Sequence, residues 1–75
     1  MAPYEKVMAD AGITKDDGEL YFALLTGMQR FLNMVGGCRP SDVMRTEVAE
    51  YERHGRDEYI RRIHKDGEHF RKLGY

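Results

Sequence analysis

Between Glu19 and Val35 the chain places apolar side chains around most of a helix. Leu20, Leu24, Met28, Phe31 and Val35 form one row, and Tyr21, Leu25 and Leu32 form a second beside it. Thr26, Gln29, Arg30 and Asn33 mark a narrow polar side. One neighbour cannot cover so wide an arc, so this helix must be packed from more than one direction. The requirement predicts an all-α fold: a small bundle of three to four helices around a central apolar helix over about 19–35.

The flanking segments supply the other helices. Pro3 suits a first-turn position, where its missing N–H costs nothing. Tyr4, Val7, Met8 and Ala11 then recur at helical spacing. Gly12 followed by Ile13 resembles a helix stop, with Ile13 able to fold back on Met8. Asp16, three residues before Glu19, has the spacing of a capping box. Gly36-Gly37 ends the central helix, Cys38-Arg39-Pro40 makes the connection, and Ser41 is placed as the next N-cap. Met44, Val48, Tyr51, Gly55, Tyr59 and Ile63 keep a helical spacing beyond it. An unbroken helix from Asp42 to Leu73 would be roughly 48 Å long and would protrude from a small globule. A break at Gly55, with Asp57 as a fresh N-cap, resolves this. The expected helices are therefore about 3–11, 16–35, 41–54 and 57–73, in a single domain over 1–75 with a charged C-terminal helical segment. Glu58 to Ile63 is echoed by Glu68 to Leu73, and one duplicate is too little for a solenoid.

Composition bounds the partners. Twelve Lys and Arg stand against thirteen Asp and Glu, which excludes a bulk polycation and an acidic nucleic-acid mimic. No apolar run reaches the ~18–20 residues of a membrane span. The N-terminal stretch lacks the apolar core of a signal peptide. Cys38 is the only cysteine, so a cytoplasmic setting without an internal disulfide is expected. In 75 residues a hydrophobic core rarely supplies more than ~3–5 kcal/mol, which favours extra burial against a partner or a second copy.

Three chemistries find starting points among the residues. Residues 1–50 hold five basic and eight acidic side chains, whereas 51–75 hold seven and five together with all three histidines. Arg61, Arg62, Lys65, Arg71 and Lys72 are thus the candidate contacts for nucleic acid. The pairs Asp57–Arg61, Glu58–Arg62 and Glu68–Lys72 would neutralise much of that field and leave a solvated helix face. A helix-turn-helix with 41–54 in the groove would turn Asp42, Glu47, Glu50 and Glu52 toward phosphates. For a metal, His64 and His69 are five apart and His54 and His64 ten apart, outside the spacing of helical ligand pairs. Glu50 and His54 are better spaced, yet no zinc signature results. An EF-hand aligned on Gly18 would begin at Ile13, where a carboxylate is needed. No metal and no cofactor is expected. For an enzyme, Cys38 ahead of a helix start, or Arg62 with His69 in an RNase-like role, are the only starting points, and neither has a fixed partner group. No catalytic residue is assigned.

The remaining feature is an abundance of methionine and tyrosine, five of each. Met28, Met34 and Met44 flank the Gly36-Gly37 loop and suit an adaptable apolar surface, although core filling is the ordinary role of such residues. Tyr51 and Tyr59 add amphipathic surface of the kind enriched at interfaces. Met28, Met34, Met44, Tyr51 and Tyr59 are accordingly the candidate protein contacts. The expected function is a non-enzymatic interaction module, an accessory subunit or small regulator that binds a larger protein or forms a homodimer. A small nucleic-acid-binding regulator is the alternative.

Overall fold

The structure, a computed structural model, describes the backbone of residues 2–72 and the side chains as far as residue 67. Four helices form: α1 (Pro3–Asp10), α2 (Gly18–Met34), α3 (Pro40–His54) and α4 (Arg56–Lys72). No strand occurs among the described residues.

Local chemistry accounts for the boundaries, with three corrections to the expected caps. Helix α1 closes as the stop signal implies: Gly12 N–H donates to Ala9 O at 3.0 Å and Ile13 N–H to Met8 O at 2.9 Å. Met8 and Ile13 both enter the core. That is the bonding and the apolar contact pattern of a Schellman end. Helix α2 is capped by Asp17, not Asp16: its carboxylate accepts from Leu20 N at 3.3 Å. Both are acidic candidates one residue apart, and Arg56 decides between them by binding Asp17 from α4. Helix α3 starts at Pro40 with Arg39 as cap residue, so Ser41 lies inside the first turn. Pro40 is ready for that place because its fixed φ already matches a helix and its absent N–H is not missed. Helix α4 begins directly at Arg56, ahead of the expected Asp57.

Gly55 separates α3 from α4 with φ +87°. An L-residue with a side chain reaches that conformation only with strain, so one glycine redirects the chain where helical spacing alone would carry it on. The bend keeps the longest dimension of the molecule at 34 Å.

Helix α2 supplies the largest share of the core through Leu20, Ala23, Leu24 and Met28. Helix α3 adds Val43, Met44 and Val48, and α4 adds Tyr59, Ile60 and Ile63. Helix α3 touches all three other helices, whereas α2 rests on α3 and α4 only. The polar ties between α2 and α4 advance together along both helices. Arg56 grips Asp17 at 2.8 and 3.0 Å at their starts, and Arg30 Nη1 donates to Ile63 O at 2.7 Å farther along. The two helices therefore run in the same general direction. Gly67 leaves room for the Arg30 guanidinium, since a Cβ there would stand 2.6 Å from Nη2.

No helix among the described residues is long and apolar enough to cross a membrane.

Candidate functional site

With α1 resting on α3, one side of α2 is left without a helical neighbour. Phe22 is 69% exposed and Met34 65%, and Phe31 and Val35 are also exposed. Leu25 and Leu32 are half-buried, packed on the core by one edge. Phe22, Leu25, Gln29 and Leu32 follow at intervals of three, four and three, the spacing of a straight seam along a helix. Gln29 Nε2 donates to Asn33 Oδ1 at 3.5 Å, so the seam's polar member also has a partner on its own helix. From Leu20 to Cys38 the only charged residue is Arg30, and it is turned to the backbone of α4. The seam is apolar at three positions and neutral throughout, in a chain that is one-third charged.

Of the five candidate protein contacts, three need correcting. Met28, Met44 and Tyr59 are 5%, 0% and 3% exposed and fill the core, so no partner reaches them without opening the bundle. Two stripes on one core, not a surface, explain their spacing. Tyr51 is half-buried and meets Tyr59 edge-on, with ring centroids 6.4 Å apart at 78°. Met34 alone is freely exposed. Phe22 was not among the candidates, although a large aromatic amid the polar row of Thr26, Gln29 and Asn33 is a legible signal.

The basic tail is occupied by its own acids. Arg61 donates to Glu58 through Nε at 2.9 Å and Nη2 at 2.6 Å, and Arg62 Nε donates to the same carboxylate at 3.1 Å. Both arginines hold the Glu58 carboxyl below its usual range, Arg61 more strongly. The expected Asp57–Arg61 pair is replaced, since Asp57 meets Arg56 at 3.0 Å. Lys65 is exposed. The side chains of Arg71, Lys72 and His69, and the Glu68–Lys72 pair, lie outside the described residues. Cys38 is exposed in the loop before α3. Among the described residues no three His, Cys, Asp or Glu side chains are arranged to hold a metal ion.

A second feature lies between α3 and α4, in a cleft of about 180 Å³. Glu47, Glu50 and Asp66 bring three carboxylates to it, and His54, Arg62 and Tyr59 complete the polar lining. His54 Nε2 is 3.0 Å from Glu50, the pair that their spacing allowed. Arg62 is directed to Glu58. Gly27 of α2 makes room at the cleft's inner side: a Cβ there would collide with Glu47 Oε1 and come within 2.9 Å of the Tyr59 hydroxyl and 3.0 Å of Ile63 Cδ1. The Tyr59 hydroxyl is buried and has no hydrogen-bond partner. Burial, then the nearby Glu50 and Asp66 charges, push the Glu47 carboxyl up from its usual range. Burial, then Glu47, Glu50 and Asp66, likewise push the Tyr59 phenol up. Sequence reasoning missed this group, and the accessible signal was Gly27, a glycine inside the apolar arc of a strong helix. A larger depression of about 350 Å³ between α1 and α3 is edged by Lys6, Asp10 and Arg45, and Arg45 is already paired with Asp42 at 2.8 Å.

Compared with family models, curated proteins and solved structures, the chain matches none of them.

Proposed function

We propose that this protein is a non-enzymatic interaction module that associates with a second copy of itself through the outward side of α2. The observation that carries the reading is the Phe22 seam, a row of large apolar groups with Phe22 69% exposed. In a chain of this size such a row forgoes burial that folding could have used, and apolar surface of that kind marks association sites. The neutrality of the seam supports a second copy as the occupant. Across a two-fold axis the patch meets itself, so a charge on it would need an opposite charge on the same patch, and this patch carries neither sign. A charged partner would find nothing there to complement.

The arginines at positions 61 and 62 share one carboxylate, which supports protein association over nucleic-acid binding for the α4 surface.

The test is sedimentation equilibrium combined with thermal melts over a dilution series, on the natural chain and on Phe22→Ser. Mass above that of one chain, a midpoint that falls on dilution, and loss of both in Phe22→Ser are expected. A single-chain mass with a concentration-independent midpoint in the natural protein refutes self-association. Capture of a different protein that Phe22→Ser no longer binds would replace the second copy by a larger partner at the same face.

A further inference from the structure

The cleft between α3 and α4 plays no part in that association, and its chemistry is unresolved within the chain. Three carboxylates line it, and of the basic side chains beside them His54 meets one, Glu50, while Arg62 is directed to Glu58, which is not part of the lining. At its inner side the Tyr59 hydroxyl, on a residue only 3% exposed, lacks any hydrogen-bond partner and shares the space above Gly27 with Glu47 Oε1. A buried polar group without a partner is rare in a folded protein and calls for a missing one. Burial and the neighbouring Glu50 and Asp66 charges also push the Glu47 carboxyl above its usual range.

We propose that this cleft is a receptor for a primary alkylammonium group, the side-chain end of a lysine on a protein partner, with Glu47 and Asp66 as its acceptors and the Tyr59 hydroxyl, sealed behind Glu47, as the donor that steadies the Glu47 carboxylate. An ammonium carries its donors on one compact charge that can sit between two carboxylates. A guanidinium is a rigid planar fork and would crowd Arg62 on the same wall. A metal ion is disfavoured because, among the described residues, no three His, Cys, Asp or Glu side chains are arranged to hold one. The cleft's volume of about 180 Å³ accommodates the ammonium and the last methylenes of the stem. Binding would relieve the repulsion among the acids and favour the ionised Glu47, to which the buried phenol beside it can then donate. Gly27 is then a positioning residue: its missing side chain lets Glu47 and Tyr59 sit side by side.

The experiment is a ¹H–¹⁵N titration of the full chain at neutral pH with N-acetyl-lysine methylamide, run against N-acetyl-norleucine methylamide at matched ionic strength. Saturable shifts at the amides around Glu47, Glu50, Tyr59 and Asp66, given by the lysine probe only, are expected. Glu47→Gln and the exposed Asp66→Asn should each weaken binding about tenfold, the loss of one charge-assisted hydrogen bond. Asp66 lies on the surface, so that variant keeps the test valid even if Glu47→Gln disturbs packing. Equal shifts from both probes, or unchanged lysine binding in Asp66→Asn, would overturn the proposal. Neither result depends on whether Phe22 mediates self-association, since Phe22→Ser should bind the lysine probe as the natural chain does.

Discussion

Replacing Tyr59 by Phe removes one oxygen and should make the protein more stable. The hydroxyl is buried, makes no hydrogen bond and stands among Glu47, Glu50 and Asp66. Leaving such a group without a partner costs about 1–3 kcal/mol relative to water. Against this, deleting the oxygen opens a void smaller than a methyl group, which costs under ~1 kcal/mol. The ring stays, and with it the edge-on contact to Tyr51 and the packing of a residue that is 97% buried by its 3% exposure. The net gain is about 1 kcal/mol, or ~4–8 °C in the melting midpoint of a domain this small. Urea titration followed by far-ultraviolet circular dichroism reads it, with the slope compared between variants to confirm that only stability has changed. The same variant should bind the lysine probe more weakly, so that stability and recognition move in opposite directions. A loss of 1 kcal/mol or more on Tyr59→Phe would show that the hydroxyl has a stabilising partner in the free protein and would remove the argument for an unsatisfied hydroxyl.

Gly27→Ala should destabilise despite a helix-propensity gain of ~1 kcal/mol, because the added Cβ collides with Glu47 Oε1 and crowds Tyr59 and Ile63. A urea midpoint raised by the variant would contradict the close approach, and the loss should shrink in a Glu47→Ala background, where the carboxylate is gone. Glu47→Gln tests the acid cluster through pH. A carboxyl whose folded pKa is raised binds a proton more readily in the native state, so natural-chain stability falls as pH rises through that folded value. The Gln variant lacks this loss: its advantage should be full above Glu47's folded pKa and vanish below the ordinary glutamate value of 4.5, and a pH-independent difference would exclude the linkage. Arg56→Ala should release Asp17, whose carboxyl Arg56 holds below its usual range, and lower stability near neutrality. That contribution is present above the ordinary aspartate value of 3.8 and is lost as pH falls through the depressed one, so carbon-detected titration of Asp17 should show its pKa rising in the variant.

How much of this was legible depends on whether the cause is local or comes from helices meeting. The stop at Gly12 and the break at Gly55 follow from residues within a few positions of each other, and helical spacing marks the stripes that become the core. Met28 and Met44 fall on those stripes, but their spacing says only that they share a side, not whether that side is covered. Coverage is decided when α3 and α4 close over α2. Asp16 and Asp17 are equally good caps on local chemistry, and Arg56, thirty-nine residues from Asp17, selects one of them. The cleft is the extreme case. Glu47 on α3, Tyr59 and Asp66 on α4, and Gly27 on α2 converge only because of how three helices cross, and no motif spacing encodes that. The one trace left in the sequence is a glycine where a strong helix has no local need of it.

The central claim, that Phe22, Leu25 and Leu32 meet the same residues of a second copy, is tested most directly by isotope-filtered nuclear Overhauser spectroscopy on a mixture of labelled and unlabelled chains. Cross-peaks between the Phe22 ring of one chain and the Leu25 or Leu32 methyls of the other are predicted. Intermolecular cross-peaks that arise only from α1 or α4, or none at a concentration where sedimentation reports dimer, would contradict it.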